Sequence, residues 1–528
     1  MADPISALHD SIASAVAALA GEVPDLALER PANAEHGDYA TSVAMRLAPV
    51  LGRNPREIGE ELAGALGALP GVASAEVAGP GFVNLRLDGG WYRDALAGII
   101  ATGAEFGRRP FAPGIETLVE FVSSNPTGDL TIGSARNAAY GDSIARLIEF
   151  TGERVVREYY INDAGVQVQL FGQSVQARRR GEDVPEGGYP GAEVQEIADA
   201  LDLPDDAELA DWVERGVATM LDRIRGSLSR MRVDFDLWTS ERGLHESGAV
   251  AAAIEHARAQ GRVFEQDGAI WLKTTDFGDD KDRVLIKADG EHTYFASDLA
   301  YIDRKFERGA TRAIYVLGAD HHGYVQRLKA GAACLGHDPE AVEILIYQLI
   351  TVSGERMGKR RGNVITLDEL VEAIGVDAAR YFLVQRSHDQ TLDIDLDLAV
   401  EASSKNPVYY VQYAHARCAS ILRKAHDEGL GVDGVGAAHD PEPVERALLR
   451  KLAEWPEIVA LAADQRAPHR IAGWAHELAG DFHAFHHDAL VLHDDADVRA
   501  FRLSLVRATR EALARALGLI GVDAPDRM

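Results

Sequence analysis

The sequence is poor in cysteine and has no long apolar run. Cys334 and Cys418 are its only cysteines in 528 residues, too few for a disulfide framework or a cysteine metal site, so we expect a protein of the reducing cytoplasm. No stretch approaches the ~20 apolar residues that span a bilayer, so we expect no membrane segment. The first residues predict an acidic amphipathic helix without a basic leader, so we expect no secretory signal.

Basic residues are also scarce. The chain has 54 Lys and Arg against 83 Asp and Glu, a net charge of −29. This balance opposes loose binding to nucleic acid, but it allows a folded nucleic acid gripped at local basic patches. Only nine of the cations are Lys, and none precedes Lys273. A Lys at a motif position is therefore informative.

The length predicts several domains, the first of them a small α/β domain over residues 1–105. Helical patterns cover roughly 3–20 and 55–68, and strand-like runs follow from Val72 to Leu87. The loop from Arg30 to Leu47 contains Asp38, which by itself fits a solvated helix start. Residues 103–114 have the Gly and Pro content of a linker.

The stretch 119–152 predicts a strand, a loop and a helix. Leu118, Val119, Phe121 and Val122 are apolar, Ser123 to Gly128 has loop composition, and apolar residues of the following segment repeat at helical spacing. A helix that begins after such a loop offers free N–H groups and a partial positive charge to phosphate. The pattern alone fits an ordinary strand–turn–helix unit equally well.

This stretch resembles the first signature of class I aminoacyl-tRNA synthetases, specifically arginyl-tRNA synthetases. Their pattern runs Glu-Phe-x-Ser-x-Asn-Pro-x-Gly-x-Leu-His-x-Gly-His. The matching residues here are Glu120, Phe121, Ser123, Asn125, Pro126, Gly128, Leu130 and Gly133. Both signature histidines are replaced, the first by Thr131 and the second by Ser134. The loop 30–47 and the segment from Asn406 to Arg417 are also similar to this family.

A second signature of the family, Lys-Met-Ser-Lys-Ser, resembles residues 356–360. Arg356, Met357, Gly358, Lys359 and Arg360 occupy the five places. A basic loop suits the spread charge of a pentavalent phosphate transition state. A solvated charged turn is the plain alternative, but one of the nine Lys falls on the family's key position.

The resemblance implies a fold and a domain organisation. The fold class is α/β, with a Rossmann-type parallel sheet. We expect a tRNA-elbow-binding-like domain over 1–105, a catalytic domain over 115–385 with an insertion at about 165–285, and a helical anticodon-binding-like domain over 400–528. Two or three helices should fill residues 444–519. A stripe of Tyr409, Tyr410 and Tyr413 is core packing by default.

The resemblance also implies site residues. A pocket for the guanidinium and amino acid maps onto Glu120, Asn125, Tyr294 and Asp298. Residues expected to bind ATP are Gly133, Gly318, Asp320, His321, Met357 and Lys359, and those expected in catalysis are Lys359, Arg356, Thr131 and Ser134. In the plain alternative, Glu120 is a strand-end charge and Asp298 pairs with Arg304 or Lys305. The adjacent His321 and His322 lack further ligands at a zinc-like spacing, so we expect no metal site.

Three functions follow from the resemblance. The first is an arginine–tRNA ligase that uses ATP, with Mg²⁺ implied by ATP, and has a slower or rearranged first step. The second is a paralogue that forms no adenylate and moves an aminoacyl group from charged tRNA to a guanidino small molecule. The third is a non-catalytic tRNA-binding protein. Retention of every other element favours the first, and we expect tRNA and arginine or a guanidino compound as partners and a monomer.

Overall fold

The computed structural model describes residues 3–21, 26–31, 33–204, 206–353, 365–431 and 434–528, apart from the side chains of Ala34, Asp320 and His322. Over these residues the chain forms an N-terminal α/β unit, a central parallel sheet flanked by helices, and a C-terminal bundle of helices. The predicted α/β architecture is confirmed. Within the described ranges, no helix combines the length and apolarity needed to cross a bilayer.

The N-terminal unit begins with helix α1 (Pro4–Ala20), which buries Leu8, Ile12 and Val16 at four-residue spacing. The Asp3 side chain caps the start of this helix. The unit continues with β1 (Tyr39–Thr41), α2 (Val43–Leu51), α3 (Pro55–Leu66), β2 (Val72–Ala78), β3 (Phe82–Leu87) and α4 (Gly89–Thr102). Strand β3 lies between β1 and β2 in an antiparallel sheet. The two predicted helices and the strands predicted over 72–87 are therefore confirmed.

Asp38 fastens this unit to the C-terminal helices. Its buried carboxylate accepts hydrogen bonds from the Tyr92 hydroxyl at 2.8 Å and from the Leu87 amide at 2.7 Å, and it pairs with Arg450. A buried carboxylate needs such partners to offset its lost hydration. The alternative that Asp38 marks a solvated helix start is therefore wrong.

The central sheet is parallel and places its strands in an order that reverses along the chain. Its members are β4 (Glu116–Glu120), β5 (Arg154–Ile161), β6 (Leu237–Ser240), β10 (Arg312–Gly318) and β11 (Val342–Tyr347). The spatial order is β11-β10-β4-β5-β6, so the chain leaves β4 toward β5 on one side and later returns on the other side with β10. The crevice between β4 and β10 is a switch point, the usual ligand site of such sheets.

Helices cover both faces of this sheet. In chain order they are α5 (Ile132–Phe150), α6 (Val166–Arg179), α7 (Ala192–Ala200), α8 (Leu209–Arg230), α9 (Glu241–Glu246), α10 (Ala249–Ala259), α11 (Tyr294–Glu307) and α12 (Val325–Cys334). Helix α5 packs on one face and α10 to α12 pack on the other. Helix α5 approaches closely because Gly141 has no side chain, and a Cβ there would lie 2.4 Å from the Phe121 ring.

The predicted insertion at about 165–285 has two parts. Helices α6 to α8 pack together, and β7 (Val263–Gln266), β8 (Ala269–Leu272) and β9 (Arg283–Ile286) form a small antiparallel sheet. Strand β6 lies within the same span but belongs to the central sheet. One strand of the central sheet therefore lies within the chain segment expected to be an insertion.

The C-terminal part is helical. It follows a pair of short parallel strands, β12 (Ile350–Ser353) and β13 (Leu392–Asp395). Its helices are α13 (Leu367–Ile374), α14 (Val376–Val384), α15 (Leu396–Ala399), α16 (Pro407–Asp427), α17 (Pro443–Ala453), α18 (Trp455–Asp464), α19 (His469–Asp488) and α20 (Ala496–Leu519). Four helices, rather than two or three, fill residues 444–519, because Pro456 and Pro468 begin new helices in a continuous helical pattern.

Arg380 joins helices next to the central sheet to the helical bundle from a fully buried position. Its guanidinium donates to the Ile520 carbonyl at 2.8 Å, to the Met231 carbonyl at 2.7 Å and to the Asp142 carboxylate at 2.5 Å. Gly521 leaves room for this group, since a Cβ there would lie 2.1 Å from it. The three partners come from distant parts of the chain, so one side chain links them.

We expect Arg380→Met to destabilise the protein by ~3–5 kcal/mol. It removes one of the guanidinium groups bound to the buried Asp142, which keeps Arg146, and it leaves two buried carbonyls without their donor. Urea unfolding followed by circular dichroism measures the loss. Arg53→Met removes an exposed ion pair with Glu61 and serves as the matched control. Equal stability of the two variants would contradict the role given to Arg380.

Candidate active site

The loop after β4 turns sharply into the crevice between β4 and β10. Val122 and Ser123 have positive φ angles of 66° and 41°, a conformation that is costly for a β-branched residue. The side chain of Asn137, buried in α5, holds this turn. It accepts a hydrogen bond from the Val122 amide at 2.9 Å and donates one to the Val316 carbonyl of β10 at 2.9 Å. Sequence reasoning missed Asn137, whose importance depends on this strained turn.

The two positions of the missing histidines form a group of hydroxyls at the start of α5. Thr131 is the N-cap, and its Oγ1 accepts from the Ser134 amide at 3.4 Å. The Ser134 hydroxyl lies 3.0 Å from the Ser124 hydroxyl. Capping uses the Thr131 oxygen as an acceptor and leaves its O–H free to donate. The helix start therefore offers N–H and O–H donors, and these two positions add no positive charge.

Residues 365–367, which follow the second signature in the chain, are attached to the same place. The Ile132 amide donates to the Ile365 carbonyl at 2.9 Å, and the Leu367 amide donates to the Leu130 carbonyl at 2.7 Å. A capping box of Thr366 and Glu369 then starts α13. Residues 356–360 themselves, with Arg356, Met357 and Lys359, lie outside the described residues.

A buried ion network lies under the crevice. Glu120 of β4 and Glu158 of β5 are direct neighbours in the sheet. The fully buried Lys305 of α11 binds both, with Nζ at 2.8 Å from Glu120 Oε2 and 2.9 Å from Glu158 Oε2. Arg308 pairs with Glu158 at 2.7 Å. Burial alone would raise the pKa of Glu158, but the two cations lower it to about 2.

The ion pair with Lys305 thus limits the capacity of Glu120 to bind a further cation. The carboxylate of Glu120 lies at the predicted site, but an internal cation already pairs with it. The Lys305 ammonium also lies 3.7 Å from the centre of the Tyr301 ring, which further stabilises the charge. The alternative that Lys305 or Arg304 pairs with Asp298 is wrong, since Arg304 pairs with Glu307.

Asp298 belongs to a second group of acids, which we call the acidic cavity and define by Tyr160, Asp163, Glu241 and Asp298. Burial raises the pKa of Asp298 to about 7, and the nearby charges of Glu241 and Glu120 add to this, while Arg327 opposes it. Burial likewise raises the pKa of Glu241, whose carboxylate is bonded to Ser297 and Tyr160. Two acids with raised pKa values side by side indicate a site short of positive charge.

Tyr160 lies at the centre of the acidic cavity. Burial raises the pKa of its hydroxyl, and the charges of Glu241, Asp298, Glu120 and Asp163 raise it further. Sequence reasoning missed Tyr160, Asp163 and Glu241. Their positions carried a usable signal, because Tyr160 is the last residue but one of β5, Asp163 comes two residues after that strand and Glu241 directly follows β6, all at the carboxyl edge of the sheet.

Asn125 and Tyr294 lie at the rim rather than inside the acidic cavity. The Asn125 amide is exposed and donates to Gln167 Oε1 at 2.6 Å. Tyr294 begins α11 and is 69% exposed, and its hydroxyl lies 3.8 Å from the place of a Cβ on Gly165. Both side chains therefore border the short segment 165–167 that starts α6.

The residues expected on the ATP side follow β10. Gly318 ends the strand, and a 3₁₀ turn (Ala319–Tyr324) leads into α12. Within this turn the rings of His321 and Tyr324 are 5.5 Å apart, and the side chain of Asp320 lies outside the described part. A cavity of about 890 Å³ opens beyond the turn, lined among others by Lys281, Arg283, Arg327, Ile344, Ile346 and His388.

Among the described residues, no group of three or more His, Cys, Asp or Glu is arranged to hold a metal ion.

The electrostatics of the acidic cavity predict that Asp298→Asn stabilises the protein at pH 8. Burial makes the charged form of Asp298 unfavourable in the folded protein. The free energy of unfolding of the wild type therefore falls as pH rises from about 4 toward 7, and the neutral amide of the variant avoids this fall. The expected gain is a few kcal/mol, at ~1.4 kcal/mol per pKa unit. Thermal unfolding at pH 8 and pH 4.5, with the exposed Asp10→Asn as control, tests this. A gain of equal size at both pH values would contradict it.

Comparisons with known proteins match three parts of the chain. Three family descriptions match: "Arginyl tRNA synthetase N terminal domain" over residues 6–87, "tRNA synthetases class I (R), catalytic domain" over 204–420, and "DALR anticodon binding domain" over 411–528. The catalytic match begins after the altered first signature.

Similar proteins extend over nearly the whole chain. A curated arginine–tRNA ligase of Frankia alni is 49% identical over 522 residues, covering 95% of this chain and 94% of that protein. The arginyl-tRNA synthetase of Thermus thermophilus is 24% identical, with a TM-score of 0.80 over 99% of this chain and 100% of that one. The enzyme of Plasmodium falciparum is 15% identical, with a TM-score of 0.75 over 99% of each chain. These two structures share the fold.

Proposed function

Because the chain belongs to the arginyl-tRNA synthetases, a family of class I aminoacyl-tRNA synthetases, we propose that it ligates L-arginine to tRNA. ATP and arginine would form an adenylate with release of pyrophosphate, and the arginyl group would then pass to tRNA with release of AMP. The observation that carries this proposal is the acidic cavity at the carboxyl edge of the sheet, whose carboxyl groups form no ion pair with a Lys or Arg among the described residues and suit a flat cation.

In the proposed complex the guanidinium enters the acidic cavity between Asp298 and Glu241. Each carboxylate accepts hydrogen bonds from the planar N–H fork, and the ring of Tyr160 borders it. Glu120 acts from below, because Lys305 already neutralises it and thereby fixes the floor of the cavity. At the rim, Asn125 and Tyr294 are placed to meet the amino acid's other end.

ATP is proposed to lie at the start of α5, over Gly133 and beside Gly318 and His321. The free N–H groups of the helix start and the hydroxyls of Thr131 and Ser134 would donate to its phosphates. Asp320, Met357 and Lys359 complete the proposed set. Mg²⁺ would arrive bound to the triphosphate, since no metal-holding group occurs among the described residues.

The first step needs positioning and charge stabilisation. An oxygen of the arginine carboxylate attacks the α-phosphorus, the bond to the bridging oxygen breaks, and pyrophosphate leaves with the electron pair. In the second step the terminal ribose hydroxyl of tRNA attacks the adenylate carbonyl, and AMP leaves. We propose that Lys359 and Arg356 supply the positive charge for the first step, because Thr131 and Ser134 supply none. The absence of a charged donor typically costs ~100–1000-fold in rate.

The helical bundle is proposed to bind the tRNA. Tyr409 and Tyr413 are half-buried and stack with ring centres 6.1 Å apart, and Tyr410 lies 4.7 Å from the ring of His483. Partly exposed aromatic rings in a row suit stacking with unpaired bases. We propose that the tyrosine stripe contacts tRNA in addition to the core packing that its spacing predicts.

Aminoacyl transfer without adenylate formation remains a second candidate, and the hydroxyls at Thr131 and Ser134 favour it. Such a protein would keep the acidic cavity for a guanidino acceptor and take its acyl group from charged tRNA. It would have little use for ATP. The two candidates thus differ in a single measurable reaction.

We expect arginine-dependent exchange between ATP and pyrophosphate when tRNA is present. Exchange above the background of a reaction without arginine supports the ligase. Lack of exchange, together with transfer from charged tRNA to a guanidino acceptor such as agmatine, would select the second candidate. Lack of both would leave only tRNA binding.

Thr131→His should raise the rate of exchange ~10–100-fold, because it returns a charged donor to the α-phosphate side of the site. Thr131→Asn is the matched control, since Asn caps the helix and donates a hydrogen bond without a charge. We expect little gain from it. If both variants gain equally, or neither gains, the missing charge is not what limits the first step.

The kcat/KM for arginine should fall as pH drops below 7, by up to ~10-fold per unit, because protonation of Asp298 removes the charge that holds the guanidinium. Glu241→Gln should shift the midpoint of this profile to lower pH, since it removes a neighbouring negative charge that raises the pKa of Asp298. The exchange assay at saturating ATP measures both profiles. A flat profile between pH 6 and pH 8 would contradict the role of Asp298.

A further inference from the structure

A second cavity lies far from the acidic cavity, and the proposed reaction does not use it. It has a volume of about 680 Å³ and is bounded by the residues after α4, the last turn of α5, helices α16 and α20, and the C-terminal tail. Thr131 and Phe150 stand at opposite ends of α5, which is 19 residues long, or ~28 Å at 1.5 Å per residue. We call this cavity the basic cleft.

Arginines dominate the lining of the basic cleft. The charged side chains around it are Arg108, Arg507, Arg510, Arg515, Glu511 and Asp526, a surplus of two positive charges without His415. Glu105, which pairs with Arg108 at 2.7 Å, reduces this surplus to one. The whole chain carries a net charge of −29. A local surplus of cations in so acidic a protein is a feature that solubility does not explain.

Arg515 is the least compensated of these cations. Its guanidinium donates to the Gly103 carbonyl at 2.5 Å, and no carboxylate of the described residues lies within 4.0 Å of it, although Arg507 has Glu511 at 3.0 Å and Arg510 has Asp526 at 2.7 Å. A guanidinium has five N–H donors, so most of those of Arg515 are left for another acceptor. Burial lowers the pKa of Arg515, because the charged guanidinium loses hydration at this position.

The neighbouring surfaces leave room for a ligand. Gly103, Ala104 and Ala514 are small and line the cleft. Arg108 lies with its guanidinium carbon 4.8 Å from the centre of the Phe150 ring, an arrangement that holds the planar cation at the cleft wall.

We propose that the basic cleft is a binding site for a phosphate group, held by Arg515 with support from Arg108 and Arg510. A tetrahedral phosphate presents three oxygens in different directions, which matches guanidinium groups that approach from a helix and a linker. The phosphate belongs either to a small molecule such as a mononucleotide or to the backbone of tRNA. The site is separate from the proposed ATP site, so its existence does not depend on the proposed reaction.

Binding of ³²P-orthophosphate to the full chain by equilibrium dialysis at low salt tests the site. Arg515→Met removes the guanidinium, and Ala514→Glu adds a carboxylate to the cleft while keeping Arg515. We expect each of these two variants to weaken phosphate binding at the basic cleft at least ~10-fold. Arg53→Met removes a surface charge elsewhere and should change nothing. Equal binding by all four proteins would overturn the proposal.

Thermal unfolding checks that the variants fold, and Ala514→Glu keeps the test valid if Arg515→Met does not. Two competition arms identify the source of the phosphate. If AMP displaces the orthophosphate whose binding requires Arg515, and the affinity for tRNA is the same in all variants, the ligand is a small molecule. If tRNA binds more weakly to both cleft variants, and the slope of its affinity against salt falls by about one, the ligand is the tRNA backbone.

Discussion

The active-site architecture depends on the bridge that Lys305 makes between Glu120 and Glu158. Two carboxylates that face each other on adjacent strands would repel in a dry sheet, and the fully buried ammonium, with Arg308, balances them. The floor of the site is therefore neutral. Among the residues that the structure describes, neither Asp298 nor Glu241 forms an ion pair with a Lys or Arg, so the acidic cavity is short of positive charge, which a guanidinium could supply.

The two halves of the site differ in how much charge they retain. The half that would receive an amino acid is rich in carboxyl groups and has a rigid floor. The half that would receive phosphates starts at Thr131 and Ser134, whose hydroxyls donate hydrogen bonds but carry no charge. In the proposed function, recognition of the cation and stabilisation of phosphate charge would rest on different residues, and a change at the phosphate side need not affect the cation side.

Buried arginines and one buried aspartate hold the three parts of the chain together. Arg380 links helices next to the central sheet to the C-terminal bundle, and Asp38 links the N-terminal unit to the same bundle through Arg450. Each contact buries a charge that is costly unless its partners are in place. Such contacts make the arrangement of the parts specific, because no neighbouring position offers the same partners.

The sequence by itself determined the strand, loop and helix of the first signature, the N-terminal helices and strands and the helical end, because periodicity and capping act over a few residues. The family resemblance, rather than any local pattern, predicts that Glu120 and Asp298 belong to one site. Only the tertiary structure decided that Glu120 is paired, since Lys305 lies 185 positions away in the chain. It also decided that Tyr160 and Glu241 join Asp298, because strands that are adjacent in the sheet come from distant segments. Burial and charge balance depend on such distant neighbours, and no local pattern encodes them.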